Sequence, residues 1–274
     1  MKSMHPARLL TAALAVVAAM ALVAPAAQAA TPAPGYTQFT GCPSPAENSL
    51  VTACLRSVIT GGHFQMGSKD VPITNAMPLT GGLDANTGLI YANSAGGLKP
   101  VKQKVPGGVV GLTGLTWLLE ILGSEALTLY AVTELAGQPR QNGAVGLELP
   151  IKVHLVNSTL GNNCYVGSAS NPIKLSLSVA TTNPPPPNKP ITGKEAEFSF
   201  DPVTEIFHID NGQFVDNSFA APGASGCVLT LFGFIPVSIN GLVNSQSGLP
   251  SPAGYNETRQ DFDTEIAPVS RVYP

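Results

Sequence analysis

The sequence predicts a mainly β protein, an antiparallel β-sandwich of jelly-roll or immunoglobulin-like type carrying one or two short helices. Three observations carry that expectation. Gly (28) and Pro (25) supply 53 of 274 residues while charged residues reach only 11%, a composition rich in turns. Short apolar runs with a two-residue period recur between breaks containing Gly or Pro. Four cysteines, an even number, show no C-x-x-C spacing, so two disulfides are expected rather than a metal or redox site.

Residues 1–29 read as a secretory signal peptide. Lys2 and Arg8 form the basic start, Leu9 to Val23 the apolar run, and Ala27-Gln28-Ala29 the small-residue cleavage site. That run of about 15 residues is shorter than the roughly 20 that a membrane-spanning helix needs. Its removal leaves residues 30–274, read as a single secreted domain with no transmembrane segment. Phe39-Thr40-Gly41-Cys42 has the look of a lipidation box, but the polar stretch Thr31 to Gln38 separates it from the apolar run. Without Lys2 and Arg8 the chain keeps 12 basic against 17 acidic residues, a balance of −5 that disfavours a nucleic-acid partner.

Taken in order, Val58 to Ile73 predicts two strands joined at the turn cluster Gly67-Ser68-Lys69-Asp70, with Pro72 placing the second at an edge. Short strands follow near Leu89 to Ala92 and Leu98 to Val105. Val109 to Leu122 is almost wholly apolar, with Leu112, Leu115, Leu119 and Leu122 at helical spacing, and predicts one short helix. Leu127 to Leu135, Val145 to Val156 and Ile173 to Ala180 alternate as strands. Glu195 to Phe200 and Glu205 to Ile209 flank the turn Asp201-Pro202-Val203-Thr204, and Thr258 to Ile266 closes the series. Asn183 to Pro190, rich in proline, predicts an extended polyproline stretch. Cys42–Cys54 and Cys164–Cys227 are the favoured pairs because each closes the shorter loops available. The second pair spans the proline stretch, which makes that stretch a loop within one domain rather than a linker.

Three segments, VHLVNSTLGNNCYVGSASNPI over 153–173, TTNPPPPNKP over 181–190 and VDNSFAAPGASGC over 215–227, resemble uncharacterised secreted proteins of actinomycete bacteria. The resemblance covers most of the mature chain. It implies export and carries no activity, substrate or site residue.

Catalytic constellations are sparse. Gly223-Ala224-Ser225-Gly226-Cys227 departs from the nucleophile elbow at its last position and reads as a turn into a disulfide. His63, His154 and His208 stand alone in separate strands, without the paired spacing of a zinc hydrolase. Asp261, Asp263 and Glu265 share one strand face and are the weak candidates for calcium, but steps of roughly 6.5–7 Å are too long for one strand to encircle an ion. No metal or cofactor is expected.

The expectation that follows is a secreted or extracellular, cell-wall-associated, non-enzymatic protein that binds an apolar or envelope component. The rivals are a secreted hydrolase whose site assembles from distant residues, and a structural or assembly protein. The binding candidates are Trp117, Leu115 and Leu119, in the most apolar stretch of the mature chain. The sequence predicts that Trp117 is buried, as part of a helix plugging one end of the sandwich, so that Trp117→Ala would cost roughly 3–5 kcal/mol.

Overall fold

Strand formation starts at Ala53, where the chain leaves a disulfide-closed loop, and the C-terminal strand lies directly beside this first one. In a computed structural model that describes residues 30–231 and 235–274, the chain forms two large antiparallel sheets and a small hairpin. The segment read as a signal peptide lies outside the described residues.

The strands are β1 (Ala53–Met66), β2 (Lys69–Pro72), β3 (Met77–Leu83), β4 (Ile90–Tyr91), β5 (Gly97–Leu98) and β6 (Lys102–Lys104). Two helices follow, α1 (Gly108–Thr113) and α2 (Leu118–Ala126). Then come β7 (Tyr130–Leu135), β8 (Arg140–Asn142), β9 (Gly146–Val156), β10 (Tyr165–Val166), β11 (Ile173–Leu177), β12 (Glu197–Asp201) and β13 (Ile206–Asp216). The chain ends with β14 (Ala224–Ser225), β15 (Val228–Leu231), β16 (Ile235–Ser238), α3 (Asn240–Ser247), β17 (Glu257–Pro268) and α4 (Val269–Val272).

One sheet runs β12-β13-β17-β1-β3-β4, with β2 and β5 as additional partners of β1 and β3. The other runs β14-β10-β9-β7-β6, with β8 and β11 also on β9. Their facing surfaces merge into one apolar cluster that includes Leu55, Ile59 and Phe262 from the first sheet and Leu149, Ile151 and Val153 from the second. This is the predicted mainly β sandwich. Four short α-helices are present among the described residues where one or two were expected. The extra ones, α3 and α4, are eight and four residues long, too short for periodicity to reveal.

Most predicted strands are present, some with shifted ends. The β1–β2 hairpin turns at Gly67-Ser68, and β2, with Pro72 at its end, pairs with β1 alone among the described strands. β1 begins five residues before Val58 because both of its faces are covered there. Leu55 and Ile59 point into the sandwich, while Cys54 belongs to a second cluster with Phe39, Val51, Ile206, Ala267 and Val272. That cluster is clasped by the two ends of the described chain, through Ala33 N–H to Val272 O and Tyr273 O–H to Cys42 O.

The proline stretch is a loop between β11 and β12, as expected, but it is not extended throughout. It turns at Pro186 and Pro187, and Asn188 Nδ2 then donates to Asn217 O and Asn256 O, pinning the loop to the ends of β13 and β17.

Both disulfides pair as expected, Cys42 with Cys54 and Cys164 with Cys227, and no described cysteine is free. The loops they close span 12 and 63 residues. Chain entropy then makes the longer bridge worth about 4 kcal/mol and the shorter about 3. Replacing Cys164 and Cys227 together with Ala is therefore expected to lower the urea-unfolding free energy more than replacing Cys42 and Cys54. The reverse order would show that local packing, not loop closure, sets the cost.

Candidate functional site

The stretch expected to be one helix is two. Gly114 adopts a left-handed conformation (φ 73) and caps α1 by donating to Val110 O, so the helix cannot continue through Leu115. α2 then starts at Leu118 and is itself interrupted at Gly123, whose φ of 75 and ψ of 166 are not helical. The regular leucine spacing was real, but glycines between the leucines decide where the turns end.

α1 lies against the body of the protein. Val109 and Leu112 are buried, Thr113 Oγ1 donates back to Val109 O, and Lys69 Nζ donates to Gly111 O. α2 behaves differently. Of its nine residues only Leu118 is buried, and Leu119, Ile121 and Leu122 are 45, 66 and 40% exposed, beside Trp117 at 42%. The expected burial of Trp117 is thus overturned. The anchor is Leu118, the next residue, and the indole stands outside with the other large side chains. Leu115 is half-buried against the core, and Leu119 lies at the lip of a groove.

This groove has a volume of about 620 Å³ and separates α2 from the edge of the sandwich. Its apolar lining comes from Pro72, Val105, Pro106, Val110, Leu119 and Leu127, with Thr74 and Lys104 adding polar groups. Two amide side chains hold its walls. Gln103 Oε1 accepts from the N–H groups of Thr74 and Asn75 while Nε2 donates to Asn75 O, fixing one wall to β6. Asn157 Nδ2 donates to Ala126 O and Thr128 O, fixing the end of α2 on the other side. Between the sheets, by contrast, the described cavities measure only 30–50 Å³. Ligand pockets are about ten times larger, so a ligand of ordinary size fits the groove and not the sandwich interior.

The surroundings share an unusual composition. Residues 217–256 contain no Asp, Glu, Lys or Arg, residues 153–173 contain none, and residues 105–133 contain only Glu120 and Glu125. The fold brings these stretches to one pole. α1 packs on α3 and α3 on β14, Cys164 is bonded to Cys227, and Val228 N–H donates to Leu160 O three residues beyond Asn157. Ile235, Val237 and Leu242 add further exposed apolar side chains from β16 and α3. Local periodicity could not single these three out, but the charge-free runs were visible in the sequence.

The remaining candidates have structural partners. Asp261, Asp263 and Glu265 do share the outer face of β17, and each has a protein donor. Asp261 accepts from Gln213 Nε2, Asp263 from Asn211 N–H, and Glu265 pairs with Arg56 at 3.2 Å. No group of three His, Cys, Asp or Glu among the described residues is arranged to hold a metal ion. The three histidines stay apart in their pairings, His63 with Asp70, His154 with Glu134 and His208 with Glu265. Burial pushes the Asp216 carboxyl above its ordinary range, against the pull of the two N–H groups, from Ser176 and Ser218, that it accepts. It therefore acts as a latch between β11 and the end of β13. No family model, no curated protein and no solved structure matches this chain.

Proposed function

We propose that this protein is a secreted or cell-envelope-associated binding protein, not an enzyme, and that it takes an uncharged apolar partner at the α2 pole. The observation that carries the reading is a nine-residue helix with a single buried side chain and three large apolar ones facing solvent, flanked by an exposed tryptophan. Isolated exposed apolar residues are ordinary, but a contiguous set beside a formed groove marks a contact site. Electrostatics narrows the partner. The pole carries Glu120, Glu125, Lys104 at the groove rim and Lys69, whose ammonium is bonded to Gly111 O, so its charges balance and it lacks the cationic cluster that anionic headgroups recruit. A neutral lipid or envelope component fits better than an anionic membrane.

Trp117 is the only tryptophan, so its emission reports on this surface alone. The free mature protein is expected to emit red-shifted light that acrylamide quenches readily. Adding phosphatidylcholine vesicles should shift the emission to the blue and protect it, with no gain from phosphatidylglycerol. Emission that ignores both vesicle types overturns the reading, and a blue shift that follows protein concentration instead makes the pole a self-assembly surface.

A further inference from the structure

At one margin of the larger sheet, β12 is an outer strand, bonded on one side to β13 and, among the described residues, to no strand on the other. Such an edge presents unpaired N–H and C=O groups, and natural edges are usually blunted by Lys, Pro or a bulge. This one, Glu197-Phe198-Ser199-Phe200-Asp201, has none of these within the strand, and its first four residues are exposed.

Its two faces differ in chemistry. Phe198 pairs with Ile209 and Phe200 with Phe207. Phe207 and Ile209 in turn pair with Ile266 and Thr264, whose side chains line the interior between the sheets. The phenylalanines therefore extend the inner face of the sheet past the point where the second sheet covers it. Phe198 and Phe200 are each 57% exposed, and the Phe198 and Phe207 rings lie 5.9 Å apart. On the outer face Glu197 is paired with Asp210, and Asp201 closes the hairpin by accepting from Val203 N–H and Thr204 Oγ1.

We propose that β12 is a docking edge for an extended peptide strand in which apolar residues alternate with Lys or Arg. Added as a further antiparallel strand, such a peptide satisfies the free backbone groups, lays its apolar residues beside Phe198 and Phe200, and sets its cations against Glu197 and Asp201. Charge selects this partner over a second copy of the chain. Self-pairing centred on Ser199 would set Glu197 of each copy opposite Asp201 of the other, a like-charge contact on both sides.

The test uses the mature protein and the synthetic peptide Lys-Val-Lys-Phe-Lys-Val-Lys, blocked at both ends, titrated by calorimetry. Three comparisons accompany it: the peptide with Glu for every Lys, the peptide N-methylated at alternate residues along either edge, and the F198S/F200S variant. The basic peptide is expected to bind at least tenfold more tightly than the acidic one. N-methylation along one edge, and the F198S/F200S substitutions, should each weaken it at least tenfold. Because both phenylalanines are exposed, F198S/F200S should keep the parent's melting temperature, which a thermal scan checks. Equal affinity for acidic and basic peptides, or binding indifferent to N-methylation on both edges, overturns the proposal. So does the absence of heat at millimolar peptide, or a concentration-dependent dimer that F198S/F200S abolishes.

Discussion

Replacing Trp117 and Ile121 together with Ser should cost the protein most of its attachment to neutral lipid vesicles and almost none of its stability. Burying a large apolar side chain that starts in water is worth about 1.5–3 kcal/mol. The two residues begin 42 and 66% exposed, so about half of that each, or about 1.5–3 kcal/mol together, is theirs to contribute. That converts to a fall of about ten- to a hundredfold in partitioning, measured by co-sedimentation with phosphatidylcholine vesicles. Unfolding should move by less than about 1 kcal/mol, because neither side chain is packed in the core. This replaces the 3–5 kcal/mol that burial of Trp117 would have implied. Leu118→Ser is the contrasting case, since it removes the buried anchor of α2 and leaves a hydroxyl in its place. It should destabilise by about 2–4 kcal/mol. A W117S/I121S protein that binds vesicles as well as the parent would show that the exposed face is not the contact site.

How much was legible depends on whether a residue's role is set by its neighbours in sequence or by distant ones. β9 and β17 alternate cleanly because each has one covered face, and Leu149, Ile151 and Val153 or Phe262 and Thr264 fall on it. β3 was invisible for the opposite reason. Its Met-Pro-Leu-Thr-Gly-Gly-Leu run carries Pro78 and two glycines, yet it pairs with β1 from Ala53↔Leu83 to Ile59↔Met77 and is buried on both faces. The glycines are required by long-range contacts: a Cβ on Gly82 would lie 2.4 Å from Val51 Cγ1, and one on Gly81 2.5 Å from Tyr91 O. The α2 pole was half legible. Trp117 and Leu119 stood out by apolar density, whereas their exposure follows from Leu118 alone finding a place in the core. Likewise the carboxylates of β17 were correctly placed on one face, but their partners Gln213, Asn211 and Arg56 come from neighbouring strands that no spacing rule connects to them.

Removing the Phe262 ring should be among the most damaging single changes in the molecule. Phe262 sits in the central strand β17, is 1% exposed, and stacks on Phe214 with ring centroids 3.7 Å apart and planes 7° from parallel. Both neighbouring strands bend around it. β1 carries an extra residue between Ile59 and Gly61, opposite Phe262 and Asp261, and β13 carries one between Ile209 and Gly212, opposite Thr264 and Phe262. Such bulges twist a sheet locally and make room for a side chain. Gly212 completes the space, since a Cβ there would lie 2.4 Å from both Cε1 and Cζ of the Phe262 ring. Phe262→Ala should therefore cost about 3–5 kcal/mol, the transfer of the ring plus the cavity it leaves. Gly212→Ala should cost about 1–3 kcal/mol by overpacking the same spot from the other strand. The two changes should not add. With the ring gone, the closest remaining neighbour of a Cβ at 212 is Ala196 Cβ at 3.0 Å, so G212A introduced into F262A should cost clearly less than it does in the parent. Urea unfolding of the parent, both single variants and the double variant closes the cycle. Additive losses would mean that Gly212 is required for its backbone conformation and not for the room it leaves to the ring.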